Sequence, residues 1–229
     1  AVIGLSFALA STPMFSPPTA TPNPVLSALM EQRWQVMASI PGELAGAAVV
    51  NAGDNLYAIG GRTAEGVSDR VDIYDPEQDA WSAGKQKPLA AADIAAALLD
   101  SKIYVPGGQL ASGELTNALE VYDPLADSWE RKADLPYAVS AYALEASGGS
   151  LYLFGGWDGN QALDAVLRYS PAEDKWTNAG SMPGARKTMG SALVGDRLYL
   201  FGGTNGRKAL DALWTTPLGG ELAWQVEGK

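Results

Sequence analysis

The residue types that most often perform catalysis are largely missing from this sequence. Its 229 residues include no histidine and no cysteine, which removes the commonest general base, the thiolate nucleophile and the usual nitrogen and sulfur metal ligands. Carboxylates, Lys, Arg and Tyr are left. The most regular carboxylates, Asp54, Asp100 and Asp196, stand in turn-like stretches before apolar runs, where Asp commonly serves turn geometry. The sequence therefore predicts no catalytic residue, no metal site and no cofactor.

Composition narrows the classes of partner. The chain carries 16 Lys and Arg against 26 Asp and Glu, a formal net charge of −10, and it has no basic run. A nucleic-acid footprint requires clustered cations, so we expect no nucleic-acid partner. An apolar content of 47% is ample for a folded core.

Glycine pairs are the other feature that suggests chemistry, because glycine-rich loops can cradle phosphates. Each pair closes an apolar run such as Leu151–Phe154, and no G-x-G-x-x-G follows any of them. Their spacing is nearly constant at 47, 48 and 47 residues between second glycines. The pairs are Gly60 with Gly61, Gly107 with Gly108, Gly155 with Gly156, and Gly202 with Gly203. This period indicates a repeat architecture, in which the glycines are structural.

Tryptophan keeps the same period, and the runs between the tryptophans are short. The repeated tryptophans are Trp34, Trp81, Trp129, Trp176 and Trp224. The third repeat contains the runs 141–146, 151–156 and 165–169 and ends at Trp176, with Gly, Asn, Asp and Pro turns between them. Runs of four to seven residues between such turns predict strands. One repeat is therefore predicted to be a four-stranded antiparallel sheet.

The second strand of each repeat shows how these sheets must pack. Leu151, Tyr152, Leu153 and Phe154 are apolar in succession and do not alternate with polar residues. Both faces of such a sheet need burial, as they obtain between the blades of a propeller. Pro106 interrupts the equivalent strand of the second repeat, where we expect a bulge or a lost hydrogen bond.

These marks together resemble the kelch repeat. The third-strand signature is Val71–Pro76 in the first repeat and Leu119–Pro124 in the second, and it weakens in 166–171 and 212–217. The resemblance implies an all-β fold, a kelch-type β-propeller of four-stranded antiparallel blades. It would have four complete repeats and an extra N-terminal outer strand at Trp34. Whether the chain is a portion of a larger propeller is left open.

The resemblance also directs attention to the loops. In kelch propellers the loops after Gly-Gly and between blades commonly form a binding face, and here the repeats differ in those loops. Trp157, Arg62 and Arg186 depart from their counterparts, and Arg207 and Lys208 lie beside the Asn205-Gly206 turn. These five residues are the candidate binding residues for a partner protein. The alternative for Trp157 is a lid on the next blade, and for Arg207 and Lys208 a solvated hairpin tip.

Two alternatives to a non-catalytic protein-interaction module stay open. A sugar epimerase or mutarotase of the same family would use Arg186 and a loop carboxylate, whereas a copper oxidase site is impossible without Cys and His. The other alternative is a structural subunit of a membrane complex.

The N-terminal region motivates the membrane alternative. Residues 1–10 are uncharged and mostly apolar, the remnant of an anchor or a signal, or else a packed strand or tail. As a helix they would span only about 15 Å, half a bilayer core. Residues 11–33 form a Pro/Thr/Ser-rich linker, and 34–229 hold the repeats. We therefore expect an extracytoplasmic protein, tethered or secreted.

Overall fold

The computed structural model describes residues 34–227, and the chain divides into two units, Ala1–Met37 and Ala38–Lys229. The predicted apolar segment 1–10 and the linker 11–33 lie outside the described residues. In the first unit, Trp34 to Met37 form no strand, and Trp34 is 88% exposed. The extra outer strand expected there is therefore not seen, since a strand exists only where a neighbouring strand completes its hydrogen bonds.

The second unit consists of four four-stranded antiparallel sheets, one for each repeat, which confirms the propeller prediction. We call them blades 1 to 4. Blade 1 contains β1 (Ala48–Ala52), β2 (Asn55–Ile59), β5 (Val71–Asp75) and β6 (Ala80–Ala83), with a small hairpin of β3 (Arg62–Thr63) and β4 (Gly66–Val67) in its loop. Blade 2 contains β7 (Ala97–Leu99), β8 (Lys102–Pro106), β9 (Leu119–Asp123) and β10 (Ser128–Lys132). Blade 3 contains β11 (Ala143–Ser147), β12 (Ser150–Phe154), β13 (Ala165–Ser170) and β14 (Lys175–Ser181). Blade 4 contains β15 (Gly190–Val194), β16 (Arg197–Phe201), β17 (Leu213–Pro217) and β18 (Gln225–Glu227).

The first strand of every blade lines a common channel. β1, β7, β11 and β15 all contribute to this space of about 550 Å³, which is bordered mainly by small side chains such as Ala48 and Ala97. Glu145 is the one acidic residue in its described lining, and burial raises the pKa of that carboxyl. The loops that enter and leave these strands therefore converge around one opening.

The cores lie between blades, as the apolar second strands predict. Every residue of β12 is buried. Tyr57 and Ile59 of blade 1 cluster with Ile103 and Val105 of blade 2, and equivalent clusters form between blades 2 and 3 and between blades 3 and 4. We call the contact between two neighbouring blades a joint. The face of a blade that packs on the next blade is its trailing face, and the face that packs on the preceding blade is its leading face.

Pro106 shortens the ladder of blade 2 without a bulge. It still pairs opposite Leu119 in β9, but β7 is three residues long, whereas its counterparts in the other blades have five. Proline has no N–H to donate to a ladder, which accounts for the lost pairing on that side.

The blades do not return on themselves. β1 contacts β7, β7 contacts β11 and β11 contacts β15, while β15 and β1 are not in contact. The leading face of blade 1 and the trailing face of blade 4 therefore have no blade against them within the described residues.

Candidate functional site

The residue after each glycine pair is fixed on one surface by a backbone bridge. Each of these four residues pairs with a residue just before the first strand of its own blade. The bridges join Arg62 to Ala45, Gln109 to Ala92, Trp157 to Ser140, and Thr204 to Lys187. The four residues that follow the glycine pairs therefore share one rim of the propeller, which we call the loop face.

The glycine pairs permit the close approach that builds this face. All eight glycines have positive φ. Gly156, at φ 103°, donates its N–H to the Arg186 carbonyl oxygen at 2.9 Å, and a Cβ there would lie 2.7 Å from the Ser140 carbonyl oxygen. A side chain at Gly156 would therefore clash with the segment that leads into β11 of the same blade.

A chain of backbone hydrogen bonds runs around the channel opening just beside these bridges. The N–H of Asp93 donates to the Gly46 carbonyl, that of Ala141 to the Asp93 carbonyl, and that of Thr188 to the Ala141 carbonyl, at 2.7–2.8 Å. Asp93, Ala141 and Thr188 adopt φ between 51° and 55°, a conformation that L-residues rarely take and β-branched Thr takes least readily. The blade-to-blade bonds hold them there.

Trp157 forms a wall between two depressions of the loop face. One has a volume of about 540 Å³ and is also lined by Asn160, Arg207 and Trp214; the other has about 240 Å³ and is also lined by Lys187. The Lys187 Nζ lies 3.5 Å from the centre of the Trp157 ring, within cation–π range. We call the larger depression the blade 3–4 groove.

Arg186 lies behind this groove and not in it. Its side chain is fully buried, its guanidinium carbon lies 3.6 Å from the centre of the Trp214 ring, and its Nη1 donates to the Ala212 carbonyl oxygen at 3.0 Å. Its Nε and Nη2 have no hydrogen-bond partner among the described residues. Burial lowers the pKa of this guanidinium. It is a buried cation that shares its tryptophan with the groove.

Arg207 and Lys208 occupy the turn that borders the groove. Both are exposed, and both backbone N–H groups donate to the Asn205 side-chain oxygen. Arg207 lines the groove, whereas Lys208 does not. Neither forms a salt bridge within the part of the chain that the structure describes, so their charges face solvent.

Arg62 does not line the groove and belongs to a closed network with Asp93 and Gln109, which line the smaller depression. Its Nη2 pairs with Asp93 at 2.7 Å and also hydrogen-bonds the Gln109 side-chain oxygen. The structure therefore separates the five predicted binding residues. It places Trp157 and Arg207 together, Arg186 beneath them, Lys208 beside them and Arg62 apart.

The repeated tryptophans lie at the outer edge of the blades and not in the deep core. Trp129 is half-buried, its ring packs 5.0 Å from that of Tyr122, and its Nε1 donates to the Lys85 carbonyl oxygen. Trp81, Trp176 and Trp224 make the equivalent bond to Ala38, Ala133 and Ser181. These side chains therefore tie each blade to the segment that precedes it.

Three aspartates that the sequence analysis missed reinforce the same edge. Asp127 accepts hydrogen bonds from the Tyr122 hydroxyl and the Lys85 N–H, and Asp79 and Asp174 do the same with Tyr74 and Tyr169. The hydrogen bond to Asp79 raises the pKa of Tyr74 to about 12. These carboxylates lie five residues after each repeat tyrosine, a spacing that could have identified them.

The mutarotase alternative finds no support in this geometry. The Arg186 guanidinium is sequestered against Trp214, and no carboxylate within the described residues pairs with it. Nor do residues 34–227 contain a cluster of three or more Asp and Glu that could hold a metal ion.

Comparison with known families agrees with the blade architecture. The model of the KLHDC2/KLHL20/DRC7 Kelch-repeats domain matches residues 93–226, more than half of the chain, and the Kelch motif matches residues 43–88. The chain belongs to the kelch-repeat family. The resemblance inferred from the glycine pairs and the Tyr-Asp-Pro turns is thus confirmed.

Individual kelch relatives match only part of the chain. Mouse Kelch-like protein 35 is 35% identical over 79 residues, which is 34% of this chain and 14% of that protein. Human Kelch-like protein 33 is 30% identical over 89 residues, or 39% of this chain and 17% of that protein. The chain therefore spans a small fraction of the length of these relatives.

A solved kelch-type propeller, described as the structure of YjhT, superposes with a TM-score of 0.74 at 18% identity, covering 86% of this chain and 74% of that one. At that identity the likeness concerns the fold alone.

Proposed function

We propose that this kelch-repeat chain is a non-catalytic protein-interaction module that holds an acidic segment of another protein in the blade 3–4 groove. The observation that carries the proposal is a group of cations around Trp157 and Trp214, none of them paired with a carboxylate within residues 34–227. These cations are Arg186, Lys187, Arg207 and Lys208.

The net negative charge of the whole chain makes this cluster of unpaired cations significant for partner binding. With a net charge of −10, the molecule repels acidic partners at long range, and only a local group of unpaired cations can attract one. Arg207 lines the groove directly and offers a fork of donors that matches a carboxylate. An acidic side chain seated there would be held by charge and by shape.

Trp157 supplies the apolar part of the same site. Its ring is half-buried, and its Lys187 contact leaves it lining the groove. Tryptophan and arginine are the residue types that most often dominate binding energy at protein interfaces. Amide side chains of Asn160, Gln161 and Asn205 complete the rim with hydrogen-bonding groups, as in many peptide grooves.

The test uses a glutamate-rich peptide and a lysine-rich peptide of equal length, titrated by calorimetry or fluorescence anisotropy. We expect the acidic peptide alone to bind. Trp157→Ala should cost at least about 2 kcal/mol, near 30-fold in Kd. Arg207→Ala should also weaken binding.

Leu125→Ala is the matched control, because Leu125 is fully exposed on blade 2, far along the chain from the groove. It should bind like the parent. Equal binding of both peptides, or an unchanged Kd in Trp157→Ala, would contradict the proposal.

We also propose that the parent protein carries this module outside the cytoplasm, tethered or secreted. The support is the order of an apolar stretch at 1–10 and a Pro/Thr/Ser stretch at 11–33 before the repeats. Residues 34–227 contain no helix that is long and apolar enough to cross a bilayer. Protease treatment of intact cells should remove the blades, and their protection would argue against this location.

A further inference from the structure

The two end blades expose apolar residues at positions that inner blades bury completely. Leu56 of β2 is 39% exposed, whereas its counterparts Ile103 and Leu151 are at 0%. Phe201 of β16 is 50% exposed, whereas its counterparts Phe154 and Ile59 are at 0%. Leu56 and its counterparts belong to leading faces, and Phe201 and its counterparts belong to trailing faces. Residues 34–227 therefore present one uncovered face of each kind.

These unused faces are chemically the two halves of one joint. At each internal joint, the trailing Tyr of one blade's second strand packs on leading Ile, Leu or Val of the next blade, and Ile59 of blade 1 and Phe154 of blade 3 join it at the first and third joints. Blade 4 offers Tyr199 and Phe201 on its trailing side. Blade 1 offers Val49 and Leu56 on its leading side, along a depression of about 280 Å³ that Trp81 also lines. The side-chain types match those that pack between blades 1 and 2 and between blades 3 and 4.

The unpaired backbone groups are complementary as well. At the three internal joints, the second glycine donates to a carbonyl of the next blade, and a left-handed residue of the next blade donates back. At the ends, the Gly203 N–H and the Thr188 carbonyl of blade 4 have no partner among residues 34–227, and neither do the Leu44 carbonyl and the Gly46 N–H of blade 1. Blade 4 thus lacks one acceptor and one donor, and blade 1 has one of each to spare.

We propose that the trailing face of blade 4 docks on the leading face of blade 1 of a second copy of this chain. The two faces of one chain do not meet, because β15 and β1 are not in contact, yet another copy presents the complementary face with its groups in repeat register. Such a contact is heterologous, joining different surfaces of the two copies.

The first measurement is the mass of the 229-residue protein in solution by light scattering. We expect the parent to exceed the 23.9 kDa of one chain and to shift upward with concentration. Leu56→Asp and Phe201→Asp each remove one of the two end faces, so each variant alone should have the mass of one chain. Leu125→Asp, at an exposed leucine on neither face, should assemble like the parent.

Mixing the two variants separates this joint from any other mode of association. Each variant alone should be a single chain, because every head-to-tail contact in it includes a mutated face. Together they should form a one-to-one pair and nothing larger, since Leu56→Asp keeps a trailing face and Phe201→Asp keeps a leading face. Thermal melting of each variant establishes that it is folded. A parent that stays monomeric, or folded variants that fail to pair when mixed, would overturn the proposal.

Discussion

The two halves of the propeller treat their cations in opposite ways on the same scaffold. In blades 1 and 2, Arg62 pairs with Asp93, Arg70 with Asp72, and Lys87 with Glu120 inside a joint. In blades 3 and 4, Arg186 and Lys187 lie on tryptophan rings. Cations that are paired with carboxylates serve the fold, whereas the unpaired Lys187 and Arg207 are accessible to a partner. The difference therefore locates the candidate site better than the kelch motif does.

The buried pair in blade 2 shows this most clearly, because its counterparts in blades 3 and 4 are apolar. Lys87 and Glu120 are almost fully buried, and desolvation lowers the pKa of Lys87 while Glu120 opposes that shift. The equivalent positions hold Leu135 with Leu167 in blade 3, and Met182 with Trp214 in blade 4. These two positions therefore accommodate either an ion pair or two apolar side chains, provided that both residues are of the same kind.

Removing one member of the Lys87–Glu120 pair should produce the largest change in stability. Glu120→Ala leaves Lys87 buried without its carboxylate and should lower the free energy of unfolding by about 3–5 kcal/mol. The double variant Lys87→Met with Glu120→Leu adopts the chemistry of blades 3 and 4 and should be as stable as the parent or more so. Urea unfolding measures both, and equal losses in the two variants would refute the role of the pair.

Releasing the paired cation of the loop face should make the first half resemble the second. Asp93→Asn keeps the shape but removes the carboxylate that neutralises Arg62. We expect the glutamate-rich peptide to bind this variant a few-fold more tightly than the parent. The difference in Kd between the two proteins should disappear in high salt, where exposed charges are screened. Asp54→Asn, at an exposed turn of blade 1, controls for the change in net charge. Equal gains in both variants would mean that net charge alone is responsible.

The outer edge supplies the smallest expected effect and separates blades 1 to 3 from blade 4, which lacks the Tyr-Asp pair. The Tyr122 hydroxyl and the Lys85 N–H lower the pKa of Asp127 in the folded chain, and Asp79 and Asp174 are lowered similarly. A lowered folded pKa adds stability above the unfolded value near 3.8 that is lost as pH falls through the folded pKa.

Replacing all three aspartates by asparagine should therefore lower the Tm at neutral pH and flatten its fall below pH 4. Asp54→Asn serves again as the control. An acid limb as steep as that of the parent would show that other carboxylates set it.

The repeat period was enough to predict the blades, because one four-stranded unit with two apolar faces has few ways to be buried. Strand limits were less accurate. The run from Ala141 was predicted to be strand, but Ala141 adopts φ 54° to reach the Asp93 carbonyl, and β11 begins at Ala143. Such a left-handed residue is set by the neighbouring blade and leaves no mark in local sequence.

The candidate site was likewise predictable from the sequence only in part. Trp157 stood out because the repeats disagree there. Lys187 and Trp214 did not stand out in the sequence, because their contacts depend on how two blades approach each other. Lys187 lies over the Trp157 ring, and Arg186 lies over the Trp214 ring. Asp79, Asp127 and Asp174 were overlooked because they stand in the same turns as ordinary turn aspartates. Asp75 and Asp123 are such residues and accept hydrogen bonds from N–H groups within their own turns.

The chain of backbone bonds from Gly46 to Thr188 also bears on how the molecule comes apart. Each bond joins two blades, so a blade that opens releases a strained residue in itself or its neighbour and exposes the core of the joint. In repeat proteins, neighbour terms of this kind govern cooperativity. The unit of local unfolding is then the joint, and an opening that begins at one blade spreads to the next across the channel rim.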